Sequence, residues 1–155
     1  MRTFAILAAA LALSIAPGLA ATPAGPMDPV NQFIDGMNHN NMKSAAATYA
    51  PVASIIDEFP PHHWQGATAF SDWGRDFGAD SKKNGITDPV VTLGKPLQNV
   101  VTGDRAYVVV PATYSFKQNG KPMHESQSIM TFALQKLSAG WRIAGWSWTA
   151  REAAH

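Results

Sequence analysis

The chain has 155 residues, with 12 basic and 11 acidic side chains, a formal net charge of +1 and no cysteine. This balance lacks the basic field that a nucleic-acid or anionic-membrane partner requires, so we expect neither partner. Because disulfides are absent, the fold must depend on packing, and a chain of this length is typical of a single domain with a substantial core.

The N-terminus has the pattern of an export signal. Arg2 precedes an apolar run over 4–15, and small residues at Gly18 and Ala20 favour cleavage just after them. This predicts a signal peptide (1–20), a flexible leader (21–27), one domain (28–150) and a short tail (151–155). Removal of Arg2 reduces the 12 basic residues to 11, against 11 acidic ones. We therefore expect a neutral mature protein that is secreted or periplasmic.

Two helices are predicted after the leader. Asp28 and Pro29 favour a helix start with Asp28 as the N-cap, and apolar residues then recur at helical spacing. A shorter helix begins at Met42 and carries Tyr49 on its apolar face, and Pro51 is expected to end it.

A strand and a third helix are predicted next. The strand covers 52–59, where a period of two places Ile55 and Asp57 on one side and Glu58 on the other. The helix covers 67–83 and has aromatic residues on its apolar face.

The chain after Gly85 is rich in Val, Thr, Tyr and Trp, with turn residues at nearly even intervals. This pattern predicts four long antiparallel strands in a meander, the first over about 89–101 and the second over 105–117. Within the second strand, Pro111 indicates a sheet edge or a bulge.

The predicted order is helix, helix, strand, helix and four strands, which is an α+β arrangement. Four stretches carry this order: VNQFIDGMNHNNMKSAAATYA for the helix pair, SIIDEF for the first strand, HHWQGATAF for the entry to the third helix and GWRIAGWSW for the last strand. Together they resemble the nuclear transport factor 2-like fold, in its SnoaL-like and ketosteroid-isomerase-like branch. The resemblance implies a cone-shaped fold in which three N-terminal helices pack on a strongly curved antiparallel sheet.

Asp57 is the first catalytic candidate. A carboxylate between two apolar neighbours is expected to be desolvated, which raises its pKa and makes it a better proton acceptor. The resemblance implies the same role, since ketosteroid isomerases use an aspartate at the matching point of this strand to move a proton. The alternative is that Asp57 lies in solvent at a strand end or caps the following turn.

The resemblance fails at the groups that stabilise an enolate. Those isomerases use a tyrosine of the first helix and a protonated acid of the sheet, whereas this chain has Phe33 and, near the sheet position, Ser128. Steroid isomerisation is therefore not expected. A partner for Asp57 is sought among hydroxyl and imidazole groups, namely Tyr49, Tyr114, Ser128, His124, His62 and His63.

His63 is the second catalytic candidate. It follows His62 and two prolines, which are expected to hold the backbone extended and to direct the two rings apart at a pocket lip. No metal-binding motif accompanies these histidines, so neither a metal nor a cofactor is predicted. The predicted ligand-binding residues share a place near the expected cavity: Phe33, Tyr49, His62, Trp64, Trp73, Tyr114, Ser128 and Trp146. For the aromatic members the alternative is plain core packing.

Two functions remain open at this point. In the first, the cone binds a small, largely apolar ligand, with acid/base chemistry of the isomerase, dehydratase or cyclase type at Asp57. In the second, the protein is a non-catalytic module whose outer sheet face, with Tyr107 and Trp148, mediates dimerisation or binds another protein, and whose cavity is filled by its own side chains. A homodimer is the expected state because the fold leaves one sheet face open.

Overall fold

The computed structural model describes residues 25–150, and the predicted signal peptide and tail lie outside this range. The helices it contains are α1 (Met27–Asn38), α2 (Met42–Ala46) and α3 (Ala69–Lys83). Helix α1 begins one residue before Asp28, so the prediction that Asp28 is the N-cap is wrong. From the first turn its carboxylate accepts a hydrogen bond from the Gly25 N–H at 3.0 Å, at the end of the helix where an acid is favoured. No described helix is both long and apolar enough to cross a membrane.

Helix α2 is shorter than predicted. Its N-cap is Asn41, whose side chain accepts a hydrogen bond from the Ser44 N–H at 3.1 Å. The helix ends at Ala46. Two residues later the Thr48 carbonyl accepts a hydrogen bond from the Ile143 N–H at 2.8 Å, which joins the chain to the last strand instead of continuing the helix. The prediction that Pro51 ends this helix is therefore wrong, since the chain is already extended there.

Seven strands are present in the described part of the chain. They are β1 (Tyr49–Ile56), β2 (His63–Gly66), β3 (Ile86–Leu93), β4 (Gln98–Thr102), β5 (Arg105–Gln118), β6 (Lys121–Leu137) and β7 (Gly140–Thr149). They form one curved, unclosed sheet in the order β2-β1-β7-β6-β5-β3, and β4 also pairs with β5. The α+β class is confirmed, but the sheet is mixed rather than antiparallel, because β1 runs parallel to β7. Strand β2 was not predicted.

The single strand predicted over about 89–101 is two strands, β3 and β4, which pair with successive halves of β5. Between them the chain leaves the sheet and stays attached through two bonds, from the Gly94 N–H to the Pro111 carbonyl and from the Leu97 N–H to the Val109 carbonyl, both 2.8 Å. Pro111 therefore lies where β5 changes partner, next to a register irregularity between Ala112 and the residues that follow it. The expected irregularity at this proline is confirmed.

The core lies between the helices and the inner face of the sheet. The predicted alternation of β5 is confirmed, because Ala106, Val108 and Val110 are buried while Arg105 and Tyr107 are exposed. Fully buried partners come from helix α1 and from strands β1, β6 and β7: Val30, Phe33, Ile55, Phe132, Leu134 and Ile143. Helix α3 begins two residues later than predicted and packs on β1, β2 and β3.

Candidate functional site

A cavity of about 210 Å³ opens between α1, α3 and the inner face of the sheet. Its wall is mainly aromatic, and four of its rings form a continuous chain. The ring centroids of Phe33 and Trp146 are 5.8 Å apart, those of Trp146 and Trp73 5.3 Å, and those of Trp73 and Phe77 5.2 Å. Such an apolar hollow with few polar groups is the usual form of a small-molecule site.

Asp57 borders this cavity immediately after β1 ends. One carboxylate oxygen accepts a hydrogen bond from the Trp73 indole N–H at 2.9 Å, and the other accepts the Glu58 backbone N–H at 2.8 Å. Burial raises the pKa of Asp57 above its ordinary value, although these two hydrogen bonds act in the opposite direction. The structure thus places a desolvated, oriented carboxylate in an aromatic wall.

The turn after Asp57 brings a second acid to the same side. Glu58 was predicted on the opposite side of a strand over 52–59, but β1 ends at Ile56 and the alternation of faces ends with it. The turn is closed by hydrogen bonds from the His62 N–H to the Phe59 carbonyl (3.0 Å) and from the Asp57 N–H to the His62 carbonyl (3.1 Å). The expectation of extended backbone at the two prolines is therefore wrong, and Glu58 also lines the cavity.

Tyr114 and Glu125 form the sheet side of the cavity. They are direct partners across β5 and β6. Burial raises the pKa of Tyr114 to about 12, and the charges of Glu125, Asp57 and Asp80 add to the effect. Burial also raises the pKa of Glu125, helped by the charges of Glu58 and Asp57. The Tyr114 hydroxyl is buried and has no hydrogen-bond partner, so it is a neutral donor available to a guest.

Five of the ten predicted site residues line the cavity: Phe33, Asp57, Trp73, Tyr114 and Trp146. Tyr49 lies behind the wall, where its hydroxyl accepts the Trp146 indole N–H at 2.6 Å and its ring packs on Phe33. Burial raises the pKa of Tyr49 well above its ordinary value. Tyr49 therefore orients a wall residue and does not border the cavity itself.

The other predicted residues lie elsewhere. His62 and His63 are exposed, and the Nε2 atom of His63 is 3.0 Å from the Ser54 hydroxyl. Trp64 is buried, and its indole N–H donates to Asp76 at 2.9 Å. Ser128 is fully buried with an unpaired hydroxyl, but it is not part of the cavity wall. Trp148, assigned to the outer face, instead lines the cavity.

Three acids of the wall, Glu58, Asp80 and Glu125, were not predicted there. Asp80 lies on α3 one turn from Phe77, so helical spacing from Trp73 is a signal that points to it. For Glu125 the sequence carries no such signal. The β5–β6 register shifts between the pair formed by Ala112 and Ser128 and the pair formed by Tyr114 and Glu125. This bulge, with Gln127 at φ 75°, moves Glu125 onto the inner face.

No group of three or more His, Cys, Asp or Glu side chains within residues 25–150 is arranged to hold a metal ion. The carboxylates of the wall come from separate elements and face an aromatic hollow. The arrangement can therefore bind a small organic molecule, accept a proton at Asp57 and donate a hydrogen bond from Tyr114.

The fold and this cavity define a nuclear transport factor 2-like protein. The SnoaL-like domain family matches residues 28–148, and the chain belongs to that family. No curated protein matches the chain significantly.

Solved structures with the same fold are distant in sequence. A ketosteroid isomerase-like protein from Erwinia carotovora atroseptica SCRI1043 is 14% identical, with a TM-score of 0.64, and the match covers 83% of this chain and 95% of that one. A nuclear transport factor 2-like superfamily protein from Salmonella enterica serovar Typhimurium LT2 is 16% identical, with a TM-score of 0.66 and coverage of 83% and 90%. A nuclear transport factor 2-like protein with a cystatin-like fold from Novosphingobium aromaticivorans is 12% identical, with a TM-score of 0.64 and coverage of 82% and 80%. At these identities the likeness establishes the fold alone.

Proposed function

We propose that the cavity binds a small, largely apolar molecule and that Asp57 exchanges a proton with it. The observation that carries the proposal is the Asp57 carboxylate, half-buried in an aromatic wall and held by the Trp73 N–H at 2.9 Å. Burial raises the pKa of this carboxyl above its ordinary value, and a higher pKa makes a carboxylate a better proton acceptor.

The reaction type is proton transfer at a carbon next to a carbonyl. The Asp57 carboxylate takes the proton as the C–H bond breaks, and the electron pair moves into an enolate. The Tyr114 hydroxyl, which is buried and unpaired, donates a hydrogen bond to the enolate oxygen. Asp57 then returns the proton to the same or a neighbouring carbon, so the protein ends unchanged.

A deuterium-exchange experiment tests this role. β-Tetralone, a bicyclic ketone with acidic C–H bonds, is incubated with the protein in deuterium oxide, and loss of its proton signals is followed by NMR. We expect exchange faster than in buffer alone and a fall of roughly 10²- to 10⁴-fold in the added rate for Asp57→Asn. The matched control is His63→Ala, which changes an exposed candidate outside the cavity.

The outcomes separate binding from chemistry. If wild-type protein exchanges no faster than buffer while β-tetralone still quenches the tryptophan fluorescence, the cavity is a binding site and the base role is lost. If His63→Ala abolishes exchange and Asp57→Asn does not, the assignment of the base is wrong.

We also propose export and a homodimer for this protein. Export is supported by the apolar run over 4–15 and the small residues that follow it. A dimer through the outer sheet face is supported by Val100 and Tyr107, cross-strand partners that are 52% and 46% exposed. The alternative of a cavity filled by its own side chains is not supported, because about 210 Å³ remains open.

A further inference from the structure

The ionisable acids and bases that line the cavity are all acids. Four carboxyl groups border it, those of Asp57, Glu58, Asp80 and Glu125, and no Lys, Arg or His occurs among the described residues of its wall. These acids come from three separate parts of the chain, namely the turn after β1, helix α3 and strand β6. Their negative potential therefore converges on the cavity from several sides.

None of these four acids forms an ion pair with a described residue. Within residues 25–150, none of them has a basic side chain within ion-pair distance. Five of the six other acids in this range do have such a partner, at 3.6 Å or less: Asp35, Asp72, Asp76, Asp88 and Asp104. Charge compensation is thus general elsewhere and missing at the cavity. Asp57, Asp80 and Glu125 are partly buried there, and a carboxylate that is removed from water without a counter-charge is costly.

The wall supplies a second reason to expect a positive guest. Its rings include three tryptophans, Trp73, Trp146 and Trp148, together with phenylalanines and Tyr114. Aromatic faces attract a cation, tryptophan most strongly, and the attraction is larger when the site excludes water. The Tyr114 hydroxyl, directly opposite Glu125, is buried and has no hydrogen-bond partner among the described residues, so its oxygen can accept a hydrogen bond from a protonated amine.

We propose that the cavity selects a molecule with a positively charged amine or quaternary ammonium group on an apolar body. This inference rests on the proposed ligand-binding function and adds the charge of the guest to it. The cationic group sits among the four carboxyls and the indole rings, and the apolar body fills the rest of the hollow.

A charged and uncharged pair of equal shape tests the inference. Benzyltrimethylammonium and its carbon isostere neopentylbenzene differ in charge alone, and binding of each is measured by quenching of tryptophan fluorescence. We expect the cation to bind at least about tenfold more tightly, which corresponds to about 1.4 kcal/mol. Glu125→Gln is expected to remove most of this preference and to leave the affinity for neopentylbenzene unchanged.

The matched control is Asp104→Asn, which removes one charge from an exposed acid in the turn between β4 and β5. It should keep the full preference for the cation. A loss equal to that of Glu125→Gln would assign the effect to net charge and overturn the inference. Unchanged binding of neopentylbenzene by Glu125→Gln also shows that the variant cavity is intact.

Proton release gives an independent measurement. The ionisable groups of the wall are Asp57, Glu58, Asp80, Tyr114 and Glu125. Burial raises the pKa of Asp57 and Glu125, and a bound cation opposes this effect, so binding should release protons. Because benzyltrimethylammonium carries no titratable proton, calorimetry in two buffers of different ionisation enthalpy detects that release directly.

If neopentylbenzene binds as tightly as the cation or more tightly, the cavity binds apolar guests and the charge selection is wrong. If neither molecule binds, both the ligand-binding function and the charge selection are contradicted.

Discussion

Tyr114 and Glu125 lie directly opposite each other across strands β5 and β6, and both border the cavity. Burial with neighbouring negative charge raises the pKa of Tyr114 to about 12, so its hydroxyl stays protonated at physiological pH. The pKa of Glu125 is raised as well, mainly by burial. The pair therefore places a permanent donor beside an acid whose pKa is raised, and both properties can be measured.

Glu125→Gln should raise the melting temperature at neutral pH. A carboxyl whose pKa is higher in the folded than in the unfolded state stabilises the fold while protonated, and this contribution is lost as pH rises through the folded pKa. The free energy of unfolding of the wild-type protein should therefore increase, through this group, as the pH falls from neutral to mildly acidic. The Gln variant should show less of that gain. Calorimetric melting curves of both proteins across this pH range measure the difference.

Asp104→Asn is the control for that prediction. Its side chain is 64% exposed, so it should alter neither the neutral melting temperature nor its pH dependence appreciably. A larger pH dependence in Glu125→Gln than in the wild type would contradict the assigned direction of the pKa shift.

Gly145→Ala should destabilise the fold by roughly 1–3 kcal/mol. A Cβ atom at this position would lie 2.7 Å from the Ser54 carbonyl oxygen, where the parallel strands β1 and β7 approach each other. Gly74→Ala is the matched control on α3, since a Cβ there meets nothing within 4 Å. That change should stabilise the protein by about 0.5–1 kcal/mol, because alanine favours the helix. Urea unfolding of the two variants gives both values, and equal effects would argue against the close approach at Gly145.

Tyr107→Lys should convert the proposed homodimer to monomer. Tyr107 lies on the outer face of β5 opposite the exposed Val100, and a charge placed there would be buried in the interface without a partner. Tyr107→Phe keeps the apolar area and should keep the dimer. Sedimentation velocity distinguishes the two states. A monomeric wild type at all concentrations, or a dimeric Lys variant, would remove this face as the interface.

The signal peptide should be cleaved on export. When the full chain is expressed in a bacterium with a secretory pathway, intact-mass measurement of the protein outside the cytoplasm should show a new N-terminus near Ala21. Replacement of Leu11 by Arg, in the middle of the apolar run, should leave the precursor uncut inside the cell. Cytoplasmic accumulation of the uncut wild-type chain would contradict the prediction.

The hydrophobic periodicity and the turn residues were enough to predict the α+β class, the third helix and the inner face of β5. These features depend on local spacing, and Ala106, Val108 and Val110 illustrate it, since a period of two is the same in any sheet. The same period of two led to the choice of Asp57, which lies one residue beyond the end of β1 and borders the cavity. The predicted order of the elements led to the resemblance to the SnoaL-like family, which is confirmed over 28–148.

Other features depended on partners far away in the chain. Tyr49 became part of a strand rather than a helix because the Thr48 carbonyl pairs with Ile143 in β7. The parallel β1–β7 pairing was missed for the same reason.

What the sequence by itself determined is the three helices, most of the strands and the inner face of β5, since propensity and periodicity act over a few residues. Only the tertiary structure decided which acids meet at the cavity. Glu125 reaches it through a one-residue bulge that exchanges the faces of β6 beyond Ser128, and His63 is kept from it because β2 pairs along the edge of β1. A single residue of register reverses the side on which every following side chain lies, and the strand's own residues do not encode that shift.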